Sequence, residues 1–153
     1  MTQIAWFIAL IPVLPLAGFL LNILFVRGER ANGAVASLSI VASFVLTLVA
    51  VANLATLPEE ARFFSVQLWE WLAVGKVNVS VGFWFDPLTS VMALLITGVG
   101  ALIHIYSISY MHGDSRPHRY FAYLNLFVFS MLLLVLGANY LIMFIGWEGV
   151  GLC

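Results

Sequence analysis

The sequence predicts an all-α polytopic membrane protein with about five transmembrane helices and one extramembrane β-hairpin between helices 2 and 3. Composition is the first observation: 63% of the residues are hydrophobic, 8% are charged and the mean hydropathy is +1.09. A soluble domain carries roughly 25% charged residues. The second is that long apolar runs alternate with short polar segments. We therefore expect one membrane domain over residues 1–153, with an external loop at 58–85.

The first two apolar runs predict spanning helices at residues 4–26 and 34–57. Pro12 and Pro15 are expected to bend the first helix, which neighbouring helices compensate. That run lacks a basic n-region and a small-residue cleavage site, so it predicts a retained helix and not a signal peptide. The second run carries a stripe of small polar residues that favours helix packing over transport: Ser39, Ser43 and Thr47.

Residues 58–85 predict an external β-hairpin. Apolar and polar residues alternate with a period of two in 64–68 and again in 77–81, as in half-exposed strands. The two runs flank a short turn at 73–75. Aromatic residues of this segment are expected at the membrane–water boundary: Trp69, Trp71, Phe83 and Trp84.

The third span is predicted from Asp86, as N-cap, and Pro87, in the first turn, to about residue 109. Spacings of four and seven residues place a small and polar stripe on one face of this helix: Asp86, Ser90, Ala93, Thr97, Ala101 and His104.

Two interpretations of this stripe stay open. The residues favour a packing seam in which hydroxyls bond backbone carbonyls. In the alternative, His104 belongs to a proton relay, because imidazole titrates near neutral pH, and Thr97 is a weaker candidate. His104 lies 18 residues after Asp86, or roughly 27 Å along the axis, so it is expected near the opposite end of the helix.

The remaining chain predicts a solvated loop at 110–119, a fourth span at 120–136 and a tight turn at 137–139. Two histidines and an aspartate in the loop match no standard metal spacing, so no metal site is predicted. The fourth span offers interfacial anchors and interhelical hydrogen-bonding residues: Tyr120 and Tyr123, then Asn125 and Ser130.

The fifth span begins near Asn139 and carries Glu148 nine residues later, roughly 13 Å along the axis and close to the middle of a bilayer. A carboxylate there costs at least about 2.5 kcal/mol on insertion scales, so a functional role is the default expectation. The alternative is a structural acid paired with a buried cation. Neighbouring glycines would let other helices approach closely: Gly146, Gly149 and Gly151.

Several stretches, in order, resemble the NuoL-type antiporter-like subunit (subunit 5) of respiratory complex I. The resemblance runs from about Asp86 to the end and more loosely through the first two helices. The stretches that carry it are Phe85-Asp86-Pro87-Leu88-Thr89-Ser90, Ile103-His104-Ile105-Tyr106-Ser107, Tyr110-Met111-His112-Gly113-Asp114, Arg119-Tyr120-Phe121-Ala122-Tyr123 and Gly146-Trp147-Glu148-Gly149-Val150-Gly151-Leu152-Cys153.

This resemblance implies a proton-translocating membrane-arm subunit of NADH:quinone oxidoreductase, with Glu148 paired to a lysine on a later helix. It implies other membrane-arm subunits as partners, and a hairpin on the outer face that contacts a neighbouring subunit. The chain has none of the nucleotide-binding or redox motifs GxGxxG, Walker loop and CxxC, and its single cysteine cannot hold an iron–sulfur cluster. We therefore expect no bound cofactor. FMN, iron–sulfur clusters and quinone are expected in other subunits. The fifth span has only 15 residues, from Asn139 to Cys153, so an N-terminal fragment of a longer subunit is expected.

Four rivals stay open. Mrp-type cation/proton antiporters share the fold that the resemblance implies, although the run after Trp147-Glu148 favours complex I. Membrane-bound hydrogenases and the photosynthetic NADH-dehydrogenase-like complex have similar subunits, and residues 86–90 also resemble the photosynthetic version. A structural membrane scaffold, in which Glu148 only holds helices together, is the rival from another class.

Cation placement predicts the orientation. The loops at 27–33 and 110–119 contain four arginines: Arg27, Arg30, Arg116 and Arg119. The positive-inside rule places these loops in the cytoplasm and the N-terminus and hairpin outside. The sequence contains no run of basic residues that could bind nucleic acid. The lipid bilayer of a bacterial inner membrane is the expected location.

Overall fold

The computed structural model describes residues 2–75 and 77–153. These residues form five α-helices, a short 3₁₀ turn and two strands, in chain order: α1 (Thr2–Leu24), α2 (Glu29–Ala55), the 3₁₀ turn (Glu59–Ala61), β1 (Phe64–Val74), β2 (Val77–Phe85), α3 (Pro87–Tyr110), α4 (Pro117–Leu136) and α5 (Tyr140–Leu152).

Among the described residues, four of the helices are long and apolar enough to cross a membrane, while α5 has 13 residues. Together with the hairpin between α2 and α3, they confirm the predicted fold class. Two loops are shorter than predicted. Helix α2 begins at Glu29, inside the expected loop at 27–33, because an acid suits the first turn; α4 begins at Pro117 because proline suits its first turn.

Helix α1 packs against both α2 and α4, α3 packs against α2 and α4, and α5 packs against α4. The apolar core includes Ile8, Ile11, Ile40 and Leu132, all fully buried. The predicted packing stripe of α2 faces inward, with Ser43 and Thr47 fully buried. Ser43 Oγ donates a hydrogen bond of 2.7 Å to the Ile11 carbonyl, so this stripe joins α2 to α1.

The hairpin has the predicted antiparallel form, and its register runs from the pair Phe64 and Phe85 to the pair Val74 and Val77. Gly75 supplies a positive φ of 60° at the turn, which glycine adopts without steric cost. Register shifts between Gln67 and Trp69 and between Glu70 and Leu72 interrupt the ladder, as β-bulges do.

One aromatic prediction is wrong. Phe83 is buried rather than placed at a membrane boundary, because its face of β2 turns toward the core, where Val66 and Phe85 are also buried. Trp69, Trp71 and Trp84 are exposed.

Asp86 caps α3 as predicted: its Oδ1 accepts a 2.8 Å hydrogen bond from the Thr89 amide, and Pro87 occupies the first turn. Trp84 Nε1 donates to the other carboxylate oxygen at 3.2 Å. Partial burial favours the neutral acid and raises the pKa of Asp86, but the hydrogen bonds from Thr89 and Trp84 outweigh burial and hold that pKa below its usual value.

Candidate functional site

Glu148 is the ninth residue of α5, a helix whose start is fixed by Asn139. The Asn139 side-chain oxygen accepts a hydrogen bond of 3.1 Å from the Ile142 amide, as an N-cap does. Two glycines of α5 lie against α4. A Cβ on Gly146 would overlap the backbone of Leu134, and a Cβ on Gly149 would overlap the Ser130 hydroxyl.

These contacts determine which side of α5 carries the carboxylate. Gly146 is buried against α4, and Glu148, two residues later on a helix of 3.6 residues per turn, lies on the exposed side. The predicted close approach of helices at Gly146 and Gly149 is confirmed. Gly151 faces open space within the described residues, so its expected contact stays a prediction. Among the residues that the structure describes, the Glu148 side chain is therefore exposed on the side of α5 opposite α4.

The predicted polar stripe of α3 forms its buried face, which includes Ser90, Ala93, Thr97, Ala101 and His104. Thr97 Oγ1 donates to the Ala93 carbonyl at 2.7 Å, and Ser90 Oγ donates to the Pro87 carbonyl at 2.7 Å. Hydroxyls that bond backbone carbonyls are what the packing-seam interpretation expects. These two hydroxyls therefore support that interpretation, although they leave the relay hypothesis for His104 untested.

His104 is fully buried, and its Nδ1 lies 2.7 Å from the Gly100 carbonyl oxygen. A carbonyl oxygen only accepts, so we assign the ring proton to Nδ1. Within residues 2–75 and 77–153, Nε2 has no hydrogen-bond partner. With the ring proton on Nδ1, Nε2 carries the lone pair at which the ring can accept a proton.

The structure does not bring the candidate residues into one cluster. Thr97 and His104 share one face of α3, while Glu148 is on α5; both helices pack against α4. No hydrogen bond joins any two of the three within the described part of the chain. Sequence reasoning thus found residues on two helices whose connection, if any, needs further groups.

Of the two interhelical hydrogen-bonding residues predicted on α4, the structure confirms one. Asn125 is an interhelical hydrogen-bonding residue as expected, accepting from Ser39 Oγ at 2.9 Å. Ser130 was expected to bond another helix, but its hydroxyl donates to the Leu126 carbonyl of its own helix at 2.9 Å. Gly149 comes so close to that hydroxyl that α5 offers it a backbone surface and no polar side chain.

The loop between α3 and α4 contacts the start of α2. His112 Nδ1 lies 2.7 Å from a Glu29 carboxylate oxygen, and the Gly113 amide donates to the same oxygen at 3.2 Å. In the residues that the structure describes, no group of three histidine, cysteine or acidic side chains is arranged to hold a metal ion.

A contact that sequence reasoning missed joins the hairpin to the start of α5. Asn139 Nδ2 donates a hydrogen bond of 2.7 Å to the Ser80 carbonyl. The N-cap role of an asparagine before an apolar helix is visible in the sequence, but its bond to a strand 59 residues earlier is not.

Comparison with known proteins identifies the family. The family model described as NADH-ubiquinone oxidoreductase (complex I), chain 5 N-terminus, matches residues 71–121. NADH-quinone oxidoreductase subunit L of Escherichia coli K12 is 40% identical over 150 residues, which is 95% of this chain and 24% of the relative. The chain belongs to the chain 5 (subunit L) family of complex I. This membership confirms the resemblance found in the motifs.

Other members of the family match over a similar extent. Subunit L of Mycobacterium tuberculosis H37Rv is 40% identical over 157 residues, 99% of this chain and 24% of the relative. NADH-ubiquinone oxidoreductase chain 5 of Metridium senile is 40% identical over 146 residues, 94% of this chain and 24% of the relative. The chain thus spans about a quarter of the length of these curated relatives. The matched residues 71–121 include Thr97 and His104 but not Glu148.

Proposed function

We propose that this chain forms part of the proton-translocating membrane arm of an NADH:quinone oxidoreductase. The observation that carries the proposal is the 40% identity to subunit L over 99% of the chain. The four apolar helices support it, and so does the carboxylate on the apolar helix α5, because a carboxylate in a spanning segment is costly and marks ion pathways.

Glu148 is the proposed coupling residue. It sits on the exposed side of α5, where a lysine from a later helix of the full subunit would reach it. An opposite charge within about 4–6 Å stabilises the protonated lysine and the ionised carboxylate together. Changing the distance between the two charges changes the proton affinity of the lysine, and in that way a conformational change elsewhere in the enzyme drives a proton along the membrane arm.

His104 is a second relay candidate, and Thr97 is a weaker one. With Nδ1 committed to the Gly100 carbonyl, Nε2 is the atom that would accept and release a proton. Thr97 has committed its only hydroxyl proton to Ala93, so it would serve through the oxygen lone pairs alone.

The orientation is proposed from the cations at the helix ends. Arg27, Arg30, Arg116 and Arg119 lie around the α1–α2 and α3–α4 connections, which are on the same side of the bundle. By the positive-inside rule, that side faces the cytoplasm of a bacterial cell, and the N-terminus and hairpin face outward.

Partners and cofactors follow from membership of the complex. Other membrane-arm subunits would surround this chain, with the hairpin contacting one of them. FMN, iron–sulfur clusters and quinone would be held by other subunits, and this chain would contribute proton transport without binding a redox group.

Proton pumping by the assembled complex carrying Glu148→Gln, measured in sealed vesicles beside NADH oxidation, tests the proposal. We expect both rates to fall sharply while the subunit still assembles. Glu60→Gln, an exposed acid in the 3₁₀ turn, is the matched control and should behave as wild type. Wild-type pumping by Glu148→Gln would refute the coupling role, and loss of assembly would favour the scaffold interpretation.

A further inference from the structure

The turn between α4 and α5 is attached to the outer edge of the hairpin. Gly137 forms an antiparallel bridge with Phe83, and the Ala138 amide donates to the Gly82 carbonyl at 3.1 Å. Strand β2 therefore has hydrogen-bonded neighbours on both edges, β1 on one and this turn on the other.

Asn139 completes the attachment with both ends of its amide. The amide nitrogen donates to the Ser80 carbonyl at 2.7 Å, and the amide oxygen accepts from the Ile142 amide at 3.1 Å. Serine and aspartate also serve as N-caps, but neither has an amide N–H to give to a strand carbonyl. Asparagine is thus suited to hold the hairpin and to begin α5 at the same time.

Beyond its first turn, α5 is held by its glycine contacts with α4. Since a Cβ on Gly146 would overlap the Leu134 backbone, rotating α5 by one position would drive a larger side chain into α4. The anchor at Asn139 and the contact at Gly146 therefore fix the rotation and the axial position of α5, and with them the side on which Glu148 lies.

We propose that Asn139 is a positioning residue for Glu148, acting through its hydrogen bond to the Ser80 carbonyl of the hairpin. The bond joins the outer hairpin to the helix that carries the intramembrane carboxylate, so a displacement of β2 displaces α5. The functional consequence rests on the proposed coupling role of Glu148, whereas the positioning itself does not.

The test uses Asn139→Ser in the assembled complex, because serine keeps a neutral N-cap and removes the amide donor. The readout is the rate at which dicyclohexylcarbodiimide, an apolar reagent for protonated carboxyls, labels Glu148. We expect labelling about fivefold faster, the factor that corresponds to losing one hydrogen bond worth about 1 kcal/mol, because the loosened helix exposes the carboxyl more often. Glu148→Gln identifies the labelled site.

Asn78→Ser is the matched control: Asn78 is also on the hairpin, and its amide donates to Glu70 at 3.1 Å without touching α5. It should leave the labelling rate unchanged. Asn139→Asp, which also keeps a cap and lacks the donor, replaces the serine variant should that variant not assemble.

The outcomes separate the two proposals. Unchanged or slower labelling of Glu148 in both Asn139 variants overturns the positioning role, whatever Glu148→Gln does to pumping. If the Asn139 variants are labelled faster at Glu148 and the separate Glu148→Gln variant pumps normally, the positioning role is supported and the coupling function is refuted. Faster labelling with a shifted pH profile of pumping in Asn139→Ser supports both.

Discussion

Ser39 Oγ lies 2.9 Å from the side-chain oxygen of Asn125 and 2.7 Å from the Ala36 carbonyl, so one hydroxyl serves the contact between α2 and α4 and its own helix. Gly18 of α1 lies against the same pair of side chains. Helices α1, α2 and α4 therefore meet at this hydrogen bond. Because Gly18 of α1 has no side chain, Ser39 and Asn125 fit against it.

Gly18→Ala should destabilise the bundle by about 1–3 kcal/mol, because the new Cβ would overlap Ser39 Oγ and crowd Asn125. Thermal unfolding of the solubilised complex measures this as loss of the subunit at lower temperature. Gly100→Ala is the control, since its Cβ would meet Val128 and Ile40 at ordinary distances of 3.6 and 3.7 Å. Equal effects of the two substitutions would contradict the assignment.

Gly146→Ala should prevent α5 from seating on α4. The Cβ would overlap backbone atoms of Leu134 and Ser130, which cannot move aside as a flexible side chain does. We expect loss of assembly, or a cost of about 3 kcal/mol, seen by native electrophoresis of the membrane arm. Gly100→Ala, whose Cβ would meet Val128 and Ile40 at ordinary distances of 3.6 and 3.7 Å, should assemble normally; failure of both variants would indicate a general sensitivity of the bundle to an added methyl group instead.

The elements were predictable where the sequence pattern is local. The apolar runs predicted the helices, the alternation in 77–81 predicted a strand, and Asp86 with Pro87 predicted a helix start, all of which the structure contains. These features depend on neighbours within a few positions along the chain.

The rest depended on contacts between distant parts of the chain. The sequence predicts Phe83 as an interfacial aromatic residue, because it does not show which face of β2 points toward the core. It predicts Asn139 as an N-cap only, because it does not show that Ser80 lies beside it. The ring proton of His104 follows from a carbonyl one turn earlier, which helical spacing makes available but does not select.

Asp86→Ala should cost about 1 kcal/mol through loss of the N-cap, measured by thermal unfolding at neutral pH. Because the folded-state pKa is depressed, the ionised carboxylate stabilises the protein above the unfolded pKa of about 3.9, and this contribution is lost as pH falls through the folded pKa. The group is mostly solvated, so this pH-dependent part should stay below about 1 kcal/mol. Asp86→Asn keeps a cap and should lack it; identical acid profiles would refute the assignment.

His104→Asn separates packing from proton transfer. Asparagine donates to the carbonyl four residues earlier elsewhere in this bundle, from Asn22 to Gly18 at 2.9 Å and from Asn125 to Phe121 at 3.2 Å, so the bond to Gly100 should survive. The titratable nitrogen is removed while the helix contact is kept. If His104 relays protons, pumping should fall about a hundredfold, the low end of the range typical of a positioned acid–base group, while the unfolding temperature changes little. If pumping stays at the wild-type rate in a stable variant, the buried ring serves the packing seam, and the relay hypothesis for α3 fails.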